Sequence, residues 1–171
     1  MHMHSIASVH MHALRMRPMQ KNVKTDTGDD RRREVEPAIC NCLALRQAAR
    51  HVSALYDRHL APEGLTTAQY SILAKLARLG PQSIGALAAM MVMDRTTTTR
   101  AVRPLARDKL VAIAPGKDER TRMVSVTPAG KKRAEAAAAR WREAQKAFEA
   151  GYGADAAQRL RAELAAVVGT T

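Results

Sequence analysis

Residues 93–110 read MDRTTTTRAVRPLARDKL, and this stretch decides the fold. Asp94 has the side chain of a helix N-cap, because a carboxylate oxygen can accept from an amide left unpaired in the first turn. Winding the next residues at about 100° per residue puts Thr96, Arg100, Arg103 and Arg107 on one side, and Thr98, Ala101, Val102 and Leu105 on the other. One face is hydroxyl and guanidinium; the other is mostly small or apolar. Guanidinium forks match guanine edges and phosphates, while threonine offers a hydroxyl to phosphate and a methyl to thymine. That is the surface of a helix lying in a DNA major groove. A solvated basic helix would look the same in isolation, so the flanking residues decide.

Upstream, Ser83 caps a short helix from Ile84 to about Met90, with Ile84, Leu87 and Met91 inward, and Val92-Met93 makes a brief turn. Two short helices joined by a tight turn, the second polar and basic outside, form a helix-turn-helix. Downstream the period changes. Val111, Ile113 and then Met123–Val126 read as two short strands around the charged, turn-forming run Pro115–Arg122. A β-hairpin directly after a recognition helix is a wing. From Asp94 to Arg122 there are eight basic residues (95, 100, 103, 107, 109, 117, 120, 122) and four acidic ones (94, 108, 118, 119), an excess on the parts that would face DNA. The candidate DNA-contacting side chains are Ser83, Arg95, Thr96, Thr97, Thr99, Arg100 and Arg103, with Lys117, Arg120 and Arg122 on the wing.

Further out the pattern is helical. Pro37 suits the first turn of a helix, and larger apolar residues recur at 39, 43, 45, 52, 55, 56 and 60, giving two broad faces before Pro62-Glu63-Gly64 breaks the run. Thr66-Thr67-Ala68-Gln69 matches a capping box. It opens a second helix with Tyr70, Leu73, Leu76 and Leu79 on one stripe, ended by Gly80-Pro81. After the wing, Thr127 or Pro128 starts a helix to about Ala150, interrupted by Gly151 and Gly153. A last amphipathic helix, Ala154–Val168, carries Leu160, Leu164, Val167 and Val168. These apolar faces have no obvious partner within one copy, and packing with the first helix would make a dimerisation domain. The expected fold is mainly α with a minor β component. It comprises a disordered tail over 1–36, a helical dimerisation region over 37–65 and 128–171, and a winged helix-turn-helix over 66–127.

Composition agrees. The chain has 171 residues, 46% hydrophobic but only 3% aromatic, so its core must be built from aliphatic side chains, which suits packed helices. With 28 basic and 16 acidic residues the net charge is +12, and the natural partner is a polyanion. A membrane is disfavoured, because Lys and Arg interrupt every helix-length run. No secretory signal is evident, so a cytoplasmic location is expected. Cys40 and Cys42 cannot build a disulfide framework. If both lie on one helix they point about 200° apart, which opposes a bridge. His2, His4, His10 and His12 with nearby methionines could bind a soft metal. Met16 and Met19 are candidate later translation starts. No Gly-rich phosphate loop, core metal-ligand cluster or Ser/His/Asp arrangement marks an enzyme, and His51 and His59, two turns apart, cannot share a metal. No catalytic residue, metal or cofactor is expected.

The order of elements and four motifs resemble the MarR family of winged-helix transcriptional regulators. Leu65-Thr66-Thr67-Ala68-Gln69-Tyr70 resembles the opening of the family's second helix, and Asp94-Arg95-Thr96 the start of its recognition helix. Asp118-x-Arg120 resembles the wing's D-x-R signature, with Arg122 as a further cation. Val126-Thr127-Pro128-Ala129-Gly130 resembles the segment after the wing. The resemblance covers roughly residues 38–168. It implies a homodimer on a pseudo-palindromic operator in double-stranded DNA, released by a small aromatic, phenolic or acidic ligand or by cysteine oxidation. Two departures stand out. Thr98 occupies a position often apolar in relatives, so a buried hydroxyl there needs a partner such as the carbonyl one turn back. Pro104 removes a backbone bond to Arg100 and should bend the helix.

Cys42–Arg50 also resembles the first helix of the family's organic-peroxide-sensing branch, and Tyr56 matches a tyrosine that bonds that cysteine. The tyrosine expected four residues after the cysteine is Arg46 here. An arginine one turn away favours a thiolate; a small core residue is the alternative role for Cys42. The expected sensing residues are therefore Cys42, Arg46 and Tyr56. They belong to a site between the first helix, the second helix and the start of the helix after the wing. The leading reading is a ligand-released repressor. The alternatives are a redox-sensing repressor using Cys42 and a non-specific architectural DNA-binding protein.

Overall fold

A computed structural model describes residues 40–116, 118 and 121–169. Six helices and a small sheet follow in the order α1 (Asn41–Leu60), a 3-10 turn (Ala61–Glu63), α2 (Thr67–Leu79), β1 (Gln82–Ser83), α3 (Ile84–Met90), α4 (Arg95–Arg107), β2 (Val111–Pro115), β3 (Arg122–Val126), α5 (Pro128–Tyr152) and α6 (Ala154–Gly169). The tail with its histidines, Pro37, Lys117 and Arg120 lie outside the described residues.

The helix starts follow the capping chemistry. Thr66 and Gln69 form the reciprocal capping box, with Gln69 Oε1 accepting from the Thr66 amide at 2.9 Å. Ser83 caps α3 through the Ala86 amide at 3.0 Å. Asp57 of α1 ties in the start of α2, accepting from both the Thr67 amide and its hydroxyl at 2.6 Å. The first helix starts later than expected. Cys40 is its N-cap, in extended backbone, with its sulfur accepting from the Leu43 amide at 3.4 Å. The two cysteines therefore do not share a helix, and their expected 200° separation on one does not apply.

The core joins α2, α3, α4 and the sheet with the end of α1 and the first turns of α5. Leu60, Ile72, Leu73, Leu76, Leu87, Val102, Leu105 and Val124 are buried in it. On α2 the stripe rotates from the expected one: Ile72 is buried and Leu79 is 46% exposed. The sheet is three-stranded and antiparallel in the order β1-β3-β2, with Val124 opposite Ile113 on one side and Gln82 on the other. β1 was not expected. It staples the start of α3 to the wing, so the helix-turn-helix and the hairpin form one piece.

The long α5 is anchored where the wing ends. The Thr127 hydroxyl donates to the Lys109 carbonyl at 2.8 Å and accepts from the Gly130 amide at 3.0 Å. Gly130 is required by close approach, since a Cβ there would sit 1.9 Å from the Leu110 carbonyl oxygen. Gly151 lies inside α5 rather than interrupting it, and the chain turns at Gly153, with φ of 94°.

Three turns share one geometry, the Schellman motif, in which a left-handed residue lets two amides close back on the preceding helix. In the turn after α1, Gly64 and Leu65 donate to the carbonyls of Ala61 and Leu60. After α3, Val92 and Met93 donate to Ala89 and Ala88. After α4, Lys109 and Leu110 donate to Ala106 and Leu105. The left-handed φ is 67° at Gly64, 50° at Val92 and 57° at Lys109.

Candidate nucleic-acid interface

The polar face of α4 forms in the expected register. Arg95, Thr96, Thr99, Arg100 and Arg103 line a shallow surface cleft of about 380 Å³. The opposite side is closed against the core, with Thr98, Val102 and Leu105 buried. Asp94 caps the helix through the Thr97 amide at 2.7 Å and the Thr97 hydroxyl at 2.6 Å. Those bonds hold the Asp94 carboxyl below the usual carboxylate range. The buried Thr98 hydroxyl donates to the Asp94 carbonyl, one turn back, at 2.9 Å.

The hydroxyls are less free than the sequence suggests. Thr97 donates to Asp94, and Thr99 donates to the Arg95 carbonyl at 2.7 Å. Each keeps lone pairs and a methyl but has committed its one proton, so in this arrangement neither donates to a phosphate. Ser83 accepts from the Ala86 amide and keeps its proton to give. Arg107, on the same polar side, turns to Asp108 with Nε to Oδ1 at 3.0 Å. Arg122 is exposed on β3, opposite Pro115.

The sensing candidates are less closely grouped. Cys42 and Arg46 are exposed near the start of α1, while Tyr56 is half-buried three to four turns on. Tyr56 donates to Gln145 Oε1, Gln145 donates to Glu149 at 2.9 Å, and Arg161 donates to the same carboxylate oxygen at 3.2 Å. Burial raises the Tyr56 phenol above its ordinary value; Glu149 adds to the shift and Arg161 opposes it. This polar chain runs along a groove of about 430 Å³ between α1, the end of α5 and α6, lined by Leu45, Val52, Phe148, Leu160 and Leu164 with Tyr56. Cys42 and Arg46 do not line it.

Sequence reasoning did not anticipate a second cleft, between α2 and α5. Tyr70, Ser71, Lys75, Arg78 and Trp141 surround about 320 Å³, with the Tyr70 and Trp141 rings 6.4 Å apart and inclined by 30°. Aromatic faces beside two cations are the elements an aromatic acid needs. Among the described residues no cluster of His, Cys, Asp and Glu could hold a metal, and no helix is long and apolar enough to cross a membrane.

The comparisons agree with this geometry. The family model described as MarR family matches residues 65–118, from the α2 cap to the wing. The transcriptional activatory protein BadR of Rhodopseudomonas palustris is 31% identical over 116 residues, 66% of this chain and 65% of that relative. The chain spans just under two thirds of the length of the curated relatives it matches. Among solved structures, the M. tuberculosis transcriptional regulator MosR in complex with DNA is 34% identical, with a TM-score of 0.67 over 75% of this chain and 92% of that one. A Pseudomonas aeruginosa transcriptional regulator is 29% identical, with a TM-score of 0.66 over 74% and 95%. A winged helix-turn-helix with a guanidinium-rich recognition helix defines a class of DNA-binding transcriptional regulator rather than an enzyme. The chain belongs to the MarR family within that class.

Proposed function

We propose that the chain is a homodimeric repressor that binds a pseudo-palindromic operator sequence-specifically and is released by a small ligand. One observation carries the DNA reading. The α4 face that clusters Arg95, Arg100 and Arg103 is the only side of that helix turned away from the core. Repression follows if the bound dimer occludes polymerase. BadR is named as an activator, and transcription in vitro from a promoter overlapping the bound site distinguishes the two directions.

The test starts with in vitro selection from random DNA using the full chain. Two half-sites about 10–10.5 base pairs apart are expected, bound on the order of a thousandfold more tightly than random duplex. Arg100→Ala should cost roughly 1–3 kcal/mol on the selected site and relax its sequence preference. Comparable affinity for all duplexes would instead establish an architectural DNA-binding protein.

The ligand reading rests on the α2–α5 cleft, where Lys75 and Arg78 flank the Tyr70–Trp141 pair. An aryl carboxylate is the matching chemistry, and Arg46 is a second candidate counter-charge. The redox alternative rests on the exposed Cys42 thiol and on Cys40 beside it at the helix start. Challenging the protein–DNA complex with an aryl carboxylate and with an organic hydroperoxide separates the two. Release by the acid that survives Cys42→Ser supports the ligand form. Release by the peroxide that Cys42→Ser blocks supports the redox form.

A further inference from the structure

The recognition helix is bracketed by two left-handed residues that are not glycine. Val92 precedes it and Lys109 follows it, with φ of 50° and 57°. Both hold the same Schellman position that Gly64 holds after α1. Glycine reaches that conformation without strain, and a β-branched side chain is among the worst fitted to it. The Val92 side chain gains nothing from burial in return, being 73% exposed. Lys109 is exposed as well, and among the described residues its ammonium has no hydrogen-bonded or ionic partner. Backbone strain of this kind clusters at functional sites.

Placement says what the function is. α4 has 13 residues, roughly 20 Å at about 1.5 Å per residue, against a major groove roughly 12 Å wide. A helix crossing that groove brings the turns at its two ends to the two sugar–phosphate rims. We propose that Val92 and Lys109 are DNA-contacting side chains at opposite ends of the recognition helix. Val92 packs on deoxyribose or a thymine methyl, and Lys109 pairs with a phosphate. The inference rests on the reading of α4 as the DNA-reading helix.

The test uses the full chain and a duplex carrying the selected site. Val92→Gly and Lys109→Gly remove the side chains and suit the turns. Val92→Asn and Lys109→Asn tolerate the left-handed region without glycine's extra freedom in the unfolded chain. The melting temperature of the free protein should rise at Val92 and hold or rise at Lys109. Affinity for the site should fall roughly three- to tenfold at each position, the scale of one modest contact. For Lys109 the slope of log K against log salt should drop by about one, and for Val92 it should not change. Unchanged or tighter binding at a position overturns the contact there. A lower melting temperature in both variants of Val92 overturns the strain on which the inference stands. Arg100→Ala is the control. Its loss with none at 92 and 109 removes this inference alone, whereas no loss at any of the three removes the DNA-reading assignment of α4.

Discussion

α4 and α1 are both amphipathic helices with a side-chain cap, yet they end in opposite situations. The apolar side of α4 is closed: Thr98, Val102 and Leu105 pack into the core, and the Thr98 hydroxyl is bonded. Of the 20 residues of α1, only Leu60, at the end beside α2, is buried. Leu45 near its start and Leu164, Val167 and Val168 on α6 remain exposed. The recognition helix therefore satisfies its own hydrophobic pattern within one copy, whereas α1 and α6 leave large apolar side chains exposed, as do Leu79, Val92 and Ile113 elsewhere in the winged unit. In the proposed homodimer, joining two such faces would remove apolar area from water on both.

The largest expected effect tests how rigidly the winged unit is joined to α5. Gly130→Ala drives a methyl into the Leu110 backbone carbonyl, which cannot move without opening the Lys109–Thr127 junction. Overpacking against backbone should cost about 3 kcal/mol or more. Thermal melting should show a large drop together with loss of DNA binding. A wild-type melting temperature would mean that the start of α5 shifts freely and that the junction is not a rigid link.

Next is the open region. Ending the chain after Gly153 removes α6, with Leu160, Leu164, Val167 and Val168. Each such side chain buried at an interface is worth roughly 1.5–3 kcal/mol, so sedimentation should turn a dimer into monomers. Helical circular dichroism reports separately on whether α1–α5 stay folded. A truncated chain that remains dimeric would end the assignment of α6 to the interface and return its exposed face to solvent.

The contrast also explains what the sequence made legible. α4 could be read because its cap, period and polarity all agree and its packing is local. The capping box of α2 and the wing had similar local signals. β1 had none, being two residues long and existing only through its pairing with β3. The left-handed turns at Val92 and Lys109 lacked the glycine that usually marks them. The start of α1 carries no clear sequence signal, because a thiol such as that of Cys40 is a weak acceptor seldom used as a cap. On α2, Ile72 rather than Leu79 faces the core, a rotation that spacing alone leaves open. The Tyr70–Trp141 pair joins residues from distant helices, and no periodicity links them.

The smallest effect probes the polar chain in the α1–α5–α6 groove. Tyr56→Phe keeps the ring and removes only the hydroxyl that donates to Gln145. Gln145 keeps its bond to Glu149, so the cost should be about 1 kcal/mol, the net worth of one hydrogen bond. The same substitution has a pH signature. The Tyr56 phenol titrates above its ordinary value of 10.0 in the folded chain, chiefly because of burial. The fold therefore favours the neutral form, and that stability is fully present below pH 10.0 and is lost as pH rises through the folded value. Wild type should lose stability in that alkaline window, and Tyr56→Phe should lose less. Part of the loss should remain, because Tyr70 is raised for the same reason. Parallel alkaline melting curves would show that Tyr56 is as solvated in the folded chain as in the unfolded one. The groove would then be open to water in the folded chain.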